Sequence, residues 1–198
     1  MRETVFLDRD GVLVEDVDLL TRADQLRVLP GVPAAMKALH KAGFQLVVVS
    51  NQPVVARGLI TEREVKSIHH ELAKQLAAAG SPTVEQFYFC PHHPKATLPA
   101  YRVNCDCRKP KPGLFLRAAQ ELSINLNASF AIGDRITDIM AGAKAGCRTV
   151  LVQTGKHLEK PIETSEPLDM KIRPNHICAD LSAAAEWILS QCRLTNEE

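Results

Sequence analysis

The feature that most constrains this chain is a series of short β-branched or aromatic runs, each ending abruptly in polar residues, that alternate with amphipathic stretches of helical period. Residues 45–50 read QLVVVS, with three consecutive valines. A strand with one wet face alternates apolar and polar side chains, whereas one that is apolar throughout is buried on both faces, as in a parallel sheet covered by helices. TVFL at 4–7, VEQFYFC at 84–90, SFAI at 129–132 and TVLV at 149–152 read as further strands, with a weaker candidate at 176–178. Helices are expected over 33–42, 62–79, 113–122, 136–145 and 181–189. Thr61 with Glu64 forms a capping-box signature, Gly80 stops the helix that follows it, and Asp180 can cap the last one. The alternation predicts an α/β fold, a Rossmann-like α/β/α sandwich with a mainly parallel sheet.

A chain of 198 residues can bury roughly 70% of its unfolded surface, so one domain over 1–198 is expected, with a core that needs no disulfides. Lys and Arg number 24 against 23 Asp and Glu, a net charge of +1. No basic run exceeds two residues, which leaves no electrostatic footprint for nucleic acid or an anionic membrane. No apolar stretch approaches the ~18 residues needed to span a bilayer. Asp8, Arg9 and Asp10 arrive before a signal-peptide core could form, so a cytoplasmic protein and, by default, a monomer are expected. Cys147, Cys178 and Cys192 are scattered and read as small apolar side chains. Two segments, 14–30 and 91–112, exceed ordinary connections, and the proline-containing tract 156–174 reads as a surface excursion.

In open α/β sheets ligands bind beyond the carboxyl ends of the strands, so the polar residues there matter first. Asp8-Arg9-Asp10-Gly11 follows TVFL, and carboxylates at i and i+2 can point into one crevice and share a divalent cation. An EF-hand is excluded, since Val12 and Leu13 fall where a ligand and the loop glycine belong. Ser50 and Asn51 end the second strand and can donate to a phosphate oxygen. Arg108-Lys109-Pro110-Lys111-Pro112 precedes a helix, and Gly133-Asp134-Arg135-Ile136-Thr137-Asp138 follows SFAI. Taken singly, these are also turn aspartates, turn chemistry, a solvated basic patch and helix N-caps. Their order along four strand ends favours a common site. A second cluster consists of Cys90, the His92-His93 pair, Cys105 and Cys107, soft ligands suited to tetrahedral Zn²⁺. Four protein ligands would leave no open position for water, so a structural site is expected in a zinc loop at 90–107, ending one residue before Arg108 and Lys109.

The D-x-D-G, the Ser-Asn, the lysine and the late G-D-x-x-x-D together resemble the haloacid dehalogenase superfamily of aspartate-nucleophile phosphohydrolases, over about residues 4–154. The resemblance implies that Asp8 is the nucleophile and Asp10 the general acid and base. It further implies that Asp8, the main-chain carbonyl of Asp10 and Asp134 hold Mg²⁺, while Lys109 and Ser50 bind the transferring phosphoryl oxygens. Asp138 is expected to orient Lys109 or a metal-bound water. Cys-Pro-His-His-Pro, Cys-Asp-Cys-Arg-Lys-Pro and Ala-Arg-Gly at 56–58 narrow the resemblance to the D,D-heptose 1,7-bisphosphate phosphatases of the histidinol-phosphatase-like group, which lack a large cap. That branch places the zinc ligands at Cys90, His92, Cys105 and Cys107. It implies removal of the C7 phosphate from a small phosphorylated metabolite, D-glycero-D-manno-heptose 1,7-bisphosphate, on the route to lipopolysaccharide core. Asn51, Arg108 and Arg135 are then the substrate-binding residues.

Three departures bear on substrate rather than chemistry. Val12 and the acidic tract 15–18 replace a threonine and a glycine-tyrosine element, Pro53-Val54-Val55 replaces Ser-Gly-Ile, and Arg135 stands where lysine is common. The acidic tract either repels a second phosphate or faces solvent. The alternatives are a phosphatase for histidinol phosphate or another small metabolite and, in a different class, a zinc-stabilised binding module without activity.

Overall fold

The structure, a computed structural model, describes residues 2–159, 169 and 171–194; most of the proline-containing part of the 156–174 tract lies outside the described residues. Six strands, β1 (Thr4–Leu7), β2 (Gln45–Asn51), β3 (Gln86–Cys90), β4 (Phe130–Gly133), β5 (Arg148–Val152) and β6 (His176–Cys178), form one sheet in the order β3-β2-β1-β4-β5-β6. Every pairing is parallel. The helices are α1 (Val32–Lys41), α2 (Pro53–Ala56), α3 (Glu62–Ala78), α4 (Gly113–Leu122), α5 (Ile136–Ala145) and α6 (Leu181–Leu194).

The two-residue period of the strands sorts their side chains into two cores. Val5, Leu7, Leu46, Val48 and Ile132 face one side, where they pack with Met36 and Leu39 of α1, Leu72 of α3 and Ile188 of α6. Phe6, Val47, Val49 and Ala131 face the other, against Phe115 and Ala118 of α4 and Ala141 of α5. This explains why QLVVVS lacks alternation: both faces of β2 are dry.

The predicted elements are all present, with ends shifted by at most a few residues; α6 runs furthest past its expected end. The Thr61 hydroxyl accepts from the Glu64 N–H at 3.2 Å while the Glu64 carboxylate accepts from the Thr61 N–H at 2.7 Å. Asp180 caps α6 by accepting from the Ala183 N–H at 2.9 Å. Among the described residues the one unforeseen α-helix is α2. Pro53 occupies its first position, where a missing N–H is harmless, and Val54 and Val55 pack on Val65.

Chain order reverses between β1 and β4. β1 leads to β2 and β3 on one side of the sheet, and β4 returns to lie against β1 on the other. The crevice beyond the carboxyl ends of this pair is the topological switch point, and Asp8 and Asp134 stand one residue past its two strands.

Candidate active site

Three carboxylates meet at the switch point: Asp8 after β1, Asp134 after β4, and Asp138 one turn into α5, each contributing an oxygen within 4.8 Å of the others. All three are buried. Lys109 reaches them from the far end of the 91–112 segment, with its ammonium 2.8 Å from Asp8 Oδ1 and 2.7 Å from Asp138 Oδ1. Its third contact donates to the Val49 carbonyl at 2.9 Å, so all three ammonium hydrogens have acceptors. Burial alone would lower the Lys109 pKa, but the Asp138 and Asp8 charges overcome this and raise it above its ordinary value.

Three carboxylates against one ammonium leave the cluster two charges negative when all are ionised. The strain shows at Asp134, whose pKa is pushed up to about 8 by burial and then by the charges of Asp138 and Asp8. Its Oδ2 accepts from the Lys156 N–H at 2.7 Å, while its Oδ1 is buried without a hydrogen-bond partner. A divalent cation would relieve both the charge excess and the orphaned oxygen, so the donor set fits a hard metal. The carboxylate also lies in a cradle that only glycine permits. A Cβ on Gly11, at φ +78°, would sit 2.6 Å from it, and one on Gly155 would sit 2.2 Å away.

Asp10 stands outside this trio but lines the same cavity. Arg9, itself 1% exposed, grips its carboxylate with Nε to Oδ1 at 2.9 Å and Nη2 to Oδ2 at 2.8 Å. Gln52 adds a donation to Oδ2 at 3.0 Å and another to Ser50 Oγ at 2.7 Å. Burial raises the Asp10 pKa despite the Arg9 charge beside it, the direction required of a proton donor.

Asn51 lines the cavity and also holds the lysine segment. Its Nδ2 donates to the Lys109 carbonyl and its Oδ1 accepts from the Lys109 N–H, both at 3.1 Å, so β2 clamps the backbone of the lysine segment. Ser50 is fully buried beneath. A cavity of about 460 Å³ opens above the carboxylates, with Asp8, Asp10, Asn51, Arg108, Lys109 and Arg135 in its walls. The acidic tract is largely solvent-exposed, as one of the two readings expected, while Asp16 and Asp18 also reach the cavity rim. Asp16 accepts from Arg135 at 3.0 Å, and Lys156 pairs with Asp18.

The second cluster also assembles. Cys90 Sγ lies 3.6 Å from Cys105 and 3.1 Å from Cys107, Cys105 and Cys107 are 3.2 Å apart, and His92 Nδ1 is 3.4 Å from Cys107 and 3.7 Å from Cys90. Tetrahedral zinc with Zn–S near 2.3 Å needs sulfur separations of about 3.8 Å, so a small expansion of this group accepts the ion. All six cysteines are free thiols. Contact with Cys90 lowers the Cys107 pKa to about 5, and the same contact raises that of Cys90. Arg108, next along the chain, donates to the His92 carbonyl at 3.1 Å, and Gly113 at the start of α4 donates to the Asp106 carbonyl at 3.0 Å. The cluster therefore fixes both ends of the segment that delivers Lys109.

Of the residues that sequence reasoning gathered, Asp8, Lys109, Asp134 and Asp138 meet in one group and the four soft ligands in another, with Asp10 beside the first on the cavity wall. That reasoning missed Arg9, Gln52 and Lys156. Arg9 carried a signal, since an arginine between two carboxylates at the end of a buried strand has no route to water. Arg9 Nη1 also lies 3.3 Å from Nε2 of His69, a buried residue of α3.

Two outcomes follow. Metal analysis of the purified protein is expected to give one zinc per chain. Cys107→Ser should lose that zinc and lower the kcat/KM of the reaction at the Asp8 site on the order of tenfold or more, because Lys109 loses its support; retained activity in a zinc-free protein would contradict this. The second concerns acid stability. Burial, and then the Arg9 charge, lower the His69 pKa to about 3 from an ordinary 6.5. The unfolded chain thus takes up that proton first, and the stability that neutral His69 contributes is complete above pH 6.5 and lost progressively below it. Urea unfolding of the wild type should weaken between pH 6.5 and 4.5 more steeply than that of His69→Gln, by up to about 1.4 kcal/mol per pH unit. Equal slopes would contradict it.

Comparison with known proteins agrees with this geometry. The family described as HAD-hydrolase-like matches residues 106–184. The D-glycero-beta-D-manno-heptose-1,7-bisphosphate 7-phosphatase of Photorhabdus laumondii is 42% identical over 186 residues, which cover 93% of this chain and 95% of the relative. The protein of the same name from Yersinia pestis is 36% identical over 187 residues, covering 94% and 89%. A crystal structure of D,D-heptose 1,7-bisphosphate phosphatase from B. bronchiseptica, complexed with magnesium and phosphate, superposes with a TM-score of 0.80 at 33% identity, covering 96% of this chain and 99% of that one. With identity of this extent carried along nearly the whole length, and a six-stranded parallel sheet without a large cap, the chain belongs to the heptose 1,7-bisphosphate phosphatase family of haloacid dehalogenase-like hydrolases.

Proposed function

We propose that this chain is a D-glycero-D-manno-heptose 1,7-bisphosphate 7-phosphatase that transfers the C7 phosphoryl group to Asp8 and then to water, contributing to heptose precursors of lipopolysaccharide. The observation that carries the reading is the Asp8–Lys109 contact at 2.8 Å on the floor of the cavity. A carboxylate attacking a phosphate dianion meets a repulsion of about 4 kcal/mol per unit-charge pair at 4 Å and an effective dielectric of 20. The ammonium is already in place to offset it.

Asp8 Oδ attacks phosphorus as the C7–O–P bond breaks on the opposite side. Asp10 gives its proton to the leaving sugar oxygen, then takes one from the water that attacks the aspartyl-phosphate, and free Asp8 is regenerated with inorganic phosphate. Lys109 exchanges its hydrogen bond with Asp8 for one to a phosphoryl oxygen and keeps those to Asp138 and Val49. Mg²⁺ would be held by Asp8, the Asp10 carbonyl and Asp134, and when bound it supplies positive charge to the phosphoryl oxygens. Ser50 stays beneath the site, where it accepts from Gln52 and keeps a hydroxyl hydrogen to orient. Arg108 and Arg135 face the cavity and suit the sugar or its second phosphate. Asn51 serves the same binding indirectly through Lys109.

The zinc loop in this reading is structural. In this reading the enzyme is a monomeric, cytoplasmic protein. Among the described residues no helix is long and apolar enough to cross a membrane.

A screen of phosphorylated metabolites with Mg²⁺, including both heptose bisphosphate anomers and histidinol phosphate, is expected to give the highest kcat/KM on a heptose bisphosphate. Asp8→Asn should bring turnover to background while leaving the melting temperature near that of the wild type. Preference for a monophosphate would overturn the substrate, and phosphate release by Asp8→Asn near the wild-type rate would overturn the nucleophile.

A further inference from the structure

Asp10 does not hold its own orientation. The Arg9 guanidinium presents one edge to it, with Nε and Nη2 on the two carboxylate oxygens, and Nη2 also donates to Gln52 Oε1 at 2.9 Å. The plane of that fork fixes the plane of the carboxylate, and therefore where an Asp10 proton can be delivered. The fork has one further anchor at its other end, the 3.3 Å contact from Nη1 to His69 Nε2. Arginine has no acceptor atom, so His69 must accept, which fixes it as the neutral ring with its hydrogen on Nδ1. The ring in turn has little freedom. It stacks on Phe87 of β3 with centroids 5.0 Å apart at 23°, and meets Phe89 edge-on at 5.6 Å and 77°.

Resting on the reading of Asp10 as the proton donor, we propose that His69 is a positioning residue for the phosphatase reaction, acting from α3 through Arg9 to aim the Asp10 carboxyl at the leaving oxygen. His69 itself touches neither substrate nor metal ligands. It converts the aromatic packing between α3 and β3 into a fixed guanidinium plane under the site. Without an acceptor at this point, Arg9 is held only by Asp10 and Gln52. The fork can then turn about its remaining contacts and carry the carboxyl with it.

The leaving group separates this role from a merely structural one. A sugar alkoxide needs a proton as the bond to phosphorus breaks, whereas p-nitrophenolate leaves with little assistance. kcat/KM reports the steps up to and including phosphorylation of Asp8, the half-reaction in which the proton is given. The test therefore measures kcat/KM for heptose bisphosphate and for p-nitrophenyl phosphate, at fixed pH and saturating Mg²⁺. The wild type is compared with His69→Phe, which keeps the ring and loses the acceptor, and His69→Gln, which restores an acceptor. Asp10→Asn reports the acid itself.

The expected result for His69→Phe is a loss of about tenfold on the sugar phosphate and under about threefold on the aryl phosphate, a fraction of the ~10²–10⁴ attributed to general acid catalysis. His69→Gln should recover most of it, and Asp10→Asn should show the same selectivity more strongly. His69→Leu carries the comparison if the phenylalanine variant does not melt cooperatively. An equal loss on both substrates, or none, with Asp10→Asn still selective, would overturn the role of His69 and leave Asp10 as the acid. If Asp10→Asn itself showed no selectivity, the acid assignment would fall and this proposal with it.

Discussion

The ammonium of Lys109, buried between Asp8 and Asp138, is the interaction on which the rest of the structure depends. A single lysine cannot neutralise three buried carboxylates, and that shortfall explains much of what surrounds it. Asp134 is raised well out of the ordinary carboxylate range, and one of its oxygens is left without a donor. Breaking a buried ion pair by removing one partner typically costs about 3–5 kcal/mol, so an arrangement this unbalanced is not one that stability alone would select. It is suited to a reaction in which a divalent cation and a phosphate dianion arrive together and change the local charge little.

Delivering that ammonium is a problem of chain geometry. Asp8 and Asp134 lie on neighbouring strands and are placed by the sheet. Lys109 comes from a segment of about twenty residues with no strand or α-helix of its own. Three restraints convert it into a defined limb: the soft-ligand cluster that ties Cys105 and Cys107 to the end of β3, the Asn51 amide that clamps the lysine backbone from β2, and the Gly113 contact that seats α4 on the loop. In the proposed reading, zinc at the soft-ligand cluster would secure the lysine that works beside magnesium. The fold needs no cap for this purpose, and the cavity remains open to a small sugar phosphate.

Much of this was legible in the chain. Strands flanked by helices and carrying no polar alternation define a parallel sheet, and a parallel sheet directs attention to its strand ends, where Asp8, Ser50 and Asp134 stand. Residues that chemistry needs as charges or soft ligands also carried recognisable spacing. The supporting contacts were harder to read because they depend on which side chains meet across long sequence separations. Asn51 lines the cavity, but its clamp on the Lys109 backbone, 58 positions away, could not be read from the sequence. The 15–18 tract looked acidic and is half neutralised by Arg135 and Lys156. α2 was hidden because Pro53 suggests a stiff loop as readily as a helix start.

The claim at the centre of this account, that Asp8 becomes covalently phosphorylated in the field of Lys109, is tested most directly by reductive trapping. The enzyme is mixed with heptose bisphosphate and Mg²⁺, quenched within a turnover in borohydride, and mapped by peptide mass spectrometry. The account predicts homoserine at position 8, from reduction of the acyl phosphate, and in no other aspartate. An unmodified Asp8 with full phosphate release, or reduction at a different carboxylate, would contradict it.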